Sequence, residues 1–453
     1  MVLTTRQVWS YGAGDLGVAL LYVAVNTHFF YFLVNVAGFG AVEAGAVFVL
    51  GRLVDAVTDP LIGAASDGLR HSLGRLPFLR RALLPTGLAF VGLFALPLSP
   101  VAPLACAVAG SVLFSVAYTC VLMPYLALLP ELVVDYDART RAIGIKSVFT
   151  MLATLVAVAS PPAIVIAIDG ASALARSTPG AWVAMAAILA ASSVPPLLLV
   201  AYGVSEPARG GGVAAAPAAR AGLLAELRSA WRTEGLPQVV YLFLAVTVGL
   251  MIANSLLTFY LESVLRLPGE TLPRVLAGLV LASILALPLW IALARRLGKR
   301  GALAAALALA SASLLALVAW VPSGEATWRL AVVTSVNGAA VGGVTMLPWA
   351  MLPDVVELDE LATGRRREGL LYAAFTFGQK LASSVGVFAN AIVIAAFGYV
   401  PGMATQSPQT VDALRAMMGP GAVAVFAVAI WLTWRYPVSR ARHTSARAAL
   451  RPR

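Results

Sequence analysis

Histidine and cysteine are scarce in this 453-residue chain, with three histidines at 28, 71 and 443 and two cysteines at 106 and 120. The histidines fall in different regions and no His or Cys stands at metal-ligand spacing, which argues against a zinc-type centre. A nucleotide-binding glycine loop and a Ser-His-Asp set are also missing, so no enzyme is expected and no cofactor is implied. Cys106 and Cys120 sit in apolar segments without paired extracellular spacing, which speaks against a disulfide framework. Charge is sparse as well, at 12% of residues against 60% hydrophobic, and an ordinary soluble domain is excluded on that ratio. The opening MVLTTRQVWSYGAGDLG is too polar for the core of a cleavable leader, so the first apolar segment is expected to act as the insertion signal.

What the chain has instead is long apolar stretches. A helix needs roughly 20 apolar residues to cross hydrocarbon, and about twelve windows of that kind recur. They extend over 12–36, 40–66, 81–99, 104–130, 142–168, 180–204, 237–261, 272–294, 301–321, 328–353, 368–398 and 418–436. A β-barrel would show short segments of alternating polarity, whereas these are continuous and rich in Ala and Leu. The expected fold class is therefore an all-α membrane protein with twelve transmembrane helices. The net charge of +11 is explained by where its residues lie. Arg6, the loops 2/3, 4/5, 6/7, 8/9 and 10/11, and the C-terminal tail carry most of the Lys and Arg. Arg176, Arg266, Arg274, Arg329 and Arg415 lie in the other loops. This bias puts both termini in the cytoplasm and the basic clusters against the lipids of a cell inner (plasma) membrane, with no nucleic-acid partner implied.

The one substantial linker, Gly203 to Pro237, divides the spans six and six. Its LLAELRSAW segment reads equally as a short amphipathic helix on the inner membrane surface or as a tether. The expected organisation is an N-terminal bundle over 1–204, a cytoplasmic loop over 205–236, a C-terminal bundle over 237–437 and a basic tail over 438–453. The halves echo each other. MPYLALLPELVVDYD at 123–137 recurs as LPWAMLPDVVELDE at 347–360, and DPLIGAASDGLRHSLGR at 59–75 pairs with LPLWIALARRLGKR at 287–300. Two parallel six-span repeats describe the major facilitator arrangement, in which substrate sits near the midplane. Aligning Pro60 with Pro288 sets Ser283 against Asp55 and Leu287 against Asp59, so the second half keeps the helix without its carboxylates.

Arg52, Asp55 and Asp59 share one face of the second span. Two acids in a poorly hydrated cavity must hold a proton, a cation or a neighbouring positive side chain. Sodium at Asp55 and Asp59, with the Thr58 hydroxyl nearby, is one reading; neutralisation of one acid by Arg52 is the other. Lys380 in TFGQKLASSVG lies near mid-membrane, where it needs a partner, and the acids of span 2 are the expected ones. Thr376 in the same segment and Tyr118 on span 4 are taken with it as substrate or coupling residues. Asp15 either faces the substrate cavity or caps the start of its helix. Asn254, Thr258 and Asn337 read as cavity lining or interhelical hydrogen bonding, and His28 as interfacial or packed. At the inner face Arg139, Arg141, Asp354 and Arg366 are candidates for a cytoplasmic gate.

The motifs YGAGDLG, GRLVDAVTDPLIGAASD with LGRLPFLRR, YTCVLMPYLALLPEL, DARTRA, LPLWIALARRLGKR, MLPDVVELDELATGRRREGLLYAAFTFGQK and FGYVPG cover nearly the whole chain. Together they resemble the glycoside-pentoside-hexuronide:cation symporter family of the major facilitator superfamily, in its melibiose permease-like form. That resemblance implies a sodium or proton site at Asp55, Thr58, Asp59 and Thr119. It also implies a charged network containing Arg52 and Lys380, and gives Lys146 the place where many relatives have an arginine. The aspartates that hold sugar hydroxyls in the melibiose permease correspond here to Ala19 and Leu122, so galactoside binding in that manner is not expected. DAVTDPL, LPLW and LPWAMLPDVV are also similar to the sodium-dependent lysophosphatidylcholine symporter. The expected function is Na⁺- or H⁺-coupled symport of a sugar, glycoside or related solute by a monomer, with an amphipathic lipid as the alternative cargo. A channel or membrane-embedded enzyme fits the charged midplane residues and the repeat less well.

Overall fold

The computed structural model describes residues 5–69, 74–132, 136–170, 174–204, 231, 235–269, 271–324, 328–363, 368–401, 403 and 405–436. The central loop over 205–230, the basic tail and Arg366 lie outside the described residues, as do the side chains of Arg139 and Arg141.

Every regular element among the described residues is helical. In the first half these are α1 (Arg6–Asn35), α2 (Ala41–Leu69), α3 (Arg75–Leu98), α4 (Pro103–Leu132), α5 (Tyr136–Asp169) and α6 (Pro179–Gly203). In the second, α7 is Leu236–Val264, and a continuous stretch Thr271–Trp320 contains α8 and α9 on either side of Gly298. α10 (Trp328–Thr363), α11 (Glu368–Ala396) and α12 (Pro408–Arg435) complete the chain. Among the described residues, ten helices are long and apolar enough to span a membrane. α2, which carries Glu43, Arg52, Asp55 and Asp59, and the division at Gly298 are consistent with the expected twelve.

Local chemistry sets several boundaries. The Ser407 hydroxyl accepts the Thr410 N–H (3.2 Å) and Pro408 opens the first turn, so α12 begins about one membrane-interface segment before its apolar window. The 2/3 and 8/9 loops reuse one backbone device: Gly74 (φ 83°, ψ 160°) precedes Arg75, and Gly298 (φ 73°, ψ 165°) precedes Lys299. A side chain is disfavoured at such φ, so glycine is required at both. Prolines inside α3, α5, α6 and α8 are tolerated because neighbouring helices and local adjustment satisfy the freed carbonyls. Single π turns interrupt α1 at Val25–Phe29 and α12 at Met417–Gly421, and another closes α7 at Tyr260–Val264.

The chain divides into two compact units. One holds Met1–Gly212 with Leu261–Ala277 and Ala391–Thr410; the other holds Val213–Tyr260, Gly278–Asn390 and Val411–Arg453. The units follow the six-and-six division except at the 7/8 and 11/12 connections, which join the first. Within the first unit α1 packs on α5 and α6, α3 on α4 and α6, and α2 on α4. An aromatic cluster of Phe29, Phe32, Phe90, Phe94 and Trp182 fills the space between α1, α3 and α6.

Candidate functional site

The α2–α4 contact positions the charged residues of the second span. Ser115 Oγ donates to the Gly51 carbonyl (3.1 Å) and Ser111 Oγ to that of Val47 (3.5 Å), tying the helices together one turn apart. One turn beyond, Arg52 Nη1 donates to Asp55 Oδ2 at 2.9 Å, with the two residues only 6% and 3% exposed. The guanidinium lies over the rings of Tyr22 (4.9 Å) and Phe48 (5.1 Å). Tyr22 stacks on Tyr118, which stacks on Phe114 and donates its hydroxyl to the Val18 carbonyl (3.3 Å). These residues line a cleft whose free space admits no more than about one water-sized particle. A buried charge pair is tolerable only with close geometry and further partners, and the rings and the carboxylate supply both.

Asp59 stands one turn further along α2, half-buried, and accepts the Thr119 hydroxyl at 2.9 Å. Thr58 turns its hydroxyl to the Asp55 carbonyl (3.4 Å) and thus to its own helix. Arg52 compensates Asp55, while Asp59 with Thr119 offers a second oxygen pair.

A second charged cluster lies between α1 and α5. Lys146 Nζ is 3.0 Å from Asp15 Oδ1, and the Thr150 hydroxyl donates to Asp15 Oδ2. α1 begins nine residues before Asp15, which therefore lies inside the helix and not at its start. The reading of Asp15 as a helix cap is corrected accordingly.

In the second unit Lys380 and Thr376 are half-buried on α11, where Ser384 Oγ donates to the Lys380 carbonyl (3.1 Å). Asn337 Nδ2 donates to Ser313 Oγ (2.8 Å), the interhelical alternative. Towards the C-terminal end of α10, Asp354 is held by Lys299 Nζ at 2.6 Å and 2.7 Å, and the same ammonium donates to the Ala350 carbonyl (2.7 Å). Of the gate residues, Asp354 alone is described with its side chain, and Lys299 of its own half is one of its partners. His28 is fully buried and its Nε2 meets the Val158 carbonyl (3.0 Å), so it is packed.

Sequence reasoning did not find Tyr22, Phe48, Ser111, Ser115 or Thr150, whose residue types are ordinary in spans. It also passed over Glu262, an acid at the end of an apolar window, where the cost of charge was the available signal.

The MFS/sugar transport protein family matches residues 10–440. The chain is 22% identical to the sodium-dependent lysophosphatidylcholine symporter 1-A of Danio rerio, over 96% of this chain and 86% of the relative. It is 26% identical to an isoprimeverose transporter of Lactiplantibacillus pentosus, over 90% and 83%. Among solved structures, a bacterial homologue of the human lysosomal transporter Spinster, inward-facing and unoccupied, aligns with a TM-score of 0.71 at 13% identity, covering 96% of this chain and 97% of that one. At that identity the likeness concerns the fold.

Proposed function

The chain belongs to the MFS/sugar transport protein family, and on that premise we propose that this multi-pass membrane transporter is a symporter coupling Na⁺ or H⁺ entry to uptake of a sugar, glycoside or related solute. The observation that carries the coupling half is the α2–α4 cleft. Arg52 and Asp55 line a space suited to a small ion and too narrow for an organic solute, and Asp59 with the Thr119 hydroxyl stands one turn further along α2. A cation arriving there competes with Arg52 for Asp55 and finds a second carboxylate and a hydroxyl one turn away. Binding that favours one conformation over the other shifts the balance of an alternating-access carrier, with Lys380 as the responding charge on α11.

Counterflow in proteoliposomes with Asp55→Asn, Asp59→Asn and the double variant tests the site. The expected result is exchange that no longer depends on the cation; full cation dependence in the double variant would overturn it. The positive-inside pattern supports an inner-membrane orientation with both termini cytoplasmic. A lysolipid cargo is favoured by one observation, the apolar Ala19 and Leu122 where sugar-holding aspartates would stand, together with the likeness to the Danio rerio symporter. Competition by acyl lysolipids and not by free sugars would select that reading.

A further inference from the structure

The outer connections of the second half carry a polar contact that the coupling site does not use. Leu261–Ala277 and Ala391–Thr410 belong to the same compact unit as α1 to α6. At its centre is Glu262, half-buried in the π turn of α7. The Tyr31 hydroxyl donates to Glu262 Oε2, and the Ala175 N–H, in the turn between α5 and α6, donates to Oε1 at 2.8 Å. Tyr31 is itself fully buried, two residues past the π turn of α1, and stacks on Trp182 of α6. The next residue, Ser263, lies 3.4 Å from the Tyr399 hydroxyl, which donates to Asn35 Oδ1 at 2.7 Å. Burial pushes the Tyr399 phenol up to about 12, so it remains a donor at ordinary pH.

Two features separate this arrangement from ordinary packing. Leu174, Leu261, Leu267 and Leu272 line one small cavity with Glu262, so an acid there is costly unless both oxygens are satisfied, and the two donors come from different elements. A carboxylate is equally well satisfied by water, however, so parting α7 from α1 exposes a group that water readily solvates. The π turn of α1 matters because one extra residue rotates the face that follows it, Phe30–Asn35 with Tyr31, by about 100° relative to an uninterrupted helix, while the π turn of α7 closes that helix at the clasp. They fall in the corresponding first helix of each half, beside the two ends of this contact.

We propose that Glu262 is the outer gate residue of the transport cycle, a carboxylate clasp that fastens α7 to Tyr31 of α1 and to the Ala175 N–H while the outer side is shut, and exchanges those donors for water when it opens. The proposal rests on the alternating-access reading above. Its test uses the full chain in nanodiscs, with Cys106 and Cys120 replaced by Ala and one cysteine introduced by Leu267→Cys, a position 5% exposed and beside the clasp. Reactivity towards a bulky polar maleimide is the readout. Glu262→Ala is expected to speed labelling about tenfold and Tyr31→Phe about threefold, with the double variant no faster than Glu262→Ala alone. Unchanged labelling in Glu262→Ala would overturn the proposal. So would an equal rise at Leu303→Cys, a buried reporter in the other unit, because that marks general loosening. If Glu262→Ala does not fold, Glu262→Gln, which cannot serve as a charged acceptor, is expected to give an intermediate rate, and no change there counts against the clasp. Labelling needs neither ion nor cargo. A clasp that responds while the aspartate variants keep cation dependence would therefore fault the coupling site alone.

Discussion

The α2–α4 pair of the first half and the α8–α10 pair of the second occupy matching places in the repeat, yet one encloses charge and the other is closed backbone to backbone. In the first, serine hydroxyls bridge the helices and the rings of Phe114 and Tyr118 line the space that holds Arg52 and Asp55. The repeats MPYLALLPEL and LPWAMLPDVV place Gly338 and Gly342 where Phe114 and Tyr118 stand. A Cβ at Gly338 would lie 2.1 Å from the Leu279 carbonyl oxygen, and one at Gly342 2.5 Å from that of Ser283, the counterpart of Asp55. Gly343, where the first half has Thr119, lies against the Trp290 ring, whose N–H donates to the Ala339 carbonyl at 2.6 Å. The same two-helix frame thus becomes a site or a seam according to whether one helix presents rings and hydroxyls or glycine. A carboxylate at 283 would have little space beside so close a backbone.

Several substitutions would break or sharpen that contrast. The largest effect is expected from Arg52→Leu or Asp55→Leu, each leaving the other charge buried without its partner at a cost of about 3–5 kcal/mol. The Arg52→Leu/Asp55→Leu double variant should recover most of that loss in thermal unfolding while abolishing cation dependence; a double variant as unstable as the singles would show that the pair is not the cause. Gly342→Ala comes next, at about 1–3 kcal/mol, because the carbonyl it meets is backbone and cannot turn away. Gly51→Ala meets only Ser111 Oγ, at 2.4 Å, and should cost less than Gly342→Ala in the same assay, since a hydroxyl can rotate. If the two cost the same, the distinction between site and seam fails. Smallest in stability, Thr119→Val removes one donor from a half-exposed carboxylate; its effect should appear as roughly tenfold weaker cation activation of counterflow with little shift in melting temperature.

The spans were legible because apolarity over a membrane thickness is a one-dimensional signal. Their ends were less so: α12 starts early because Ser407 caps it, and α7 runs past Leu261 through a π turn that hydropathy does not register. That difference hid Glu262, which falls one residue beyond the expected window. Arg52, Asp55 and Asp59 stood out as charge in an apolar run, and their spacing placed them on one face. Their partners were less visible. Asp15 and Lys146 were each singled out, but their pairing depends on α1 packing against α5, which no local pattern encodes. The rings over Arg52 were hidden for the opposite reason, since aromatic residues are common in membrane helices and only the fold brings Tyr22 and Phe48 to the guanidinium.

Because Arg52 already rests on Asp55, the cleft carries its own tethered ion. Under the proposed coupling, entry of an external cation would be an exchange, and its apparent affinity would be the difference between two occupants. Softening the parking place for the displaced guanidinium, through Tyr22 or Phe48, would tune the ion's grip without touching any atom that holds it.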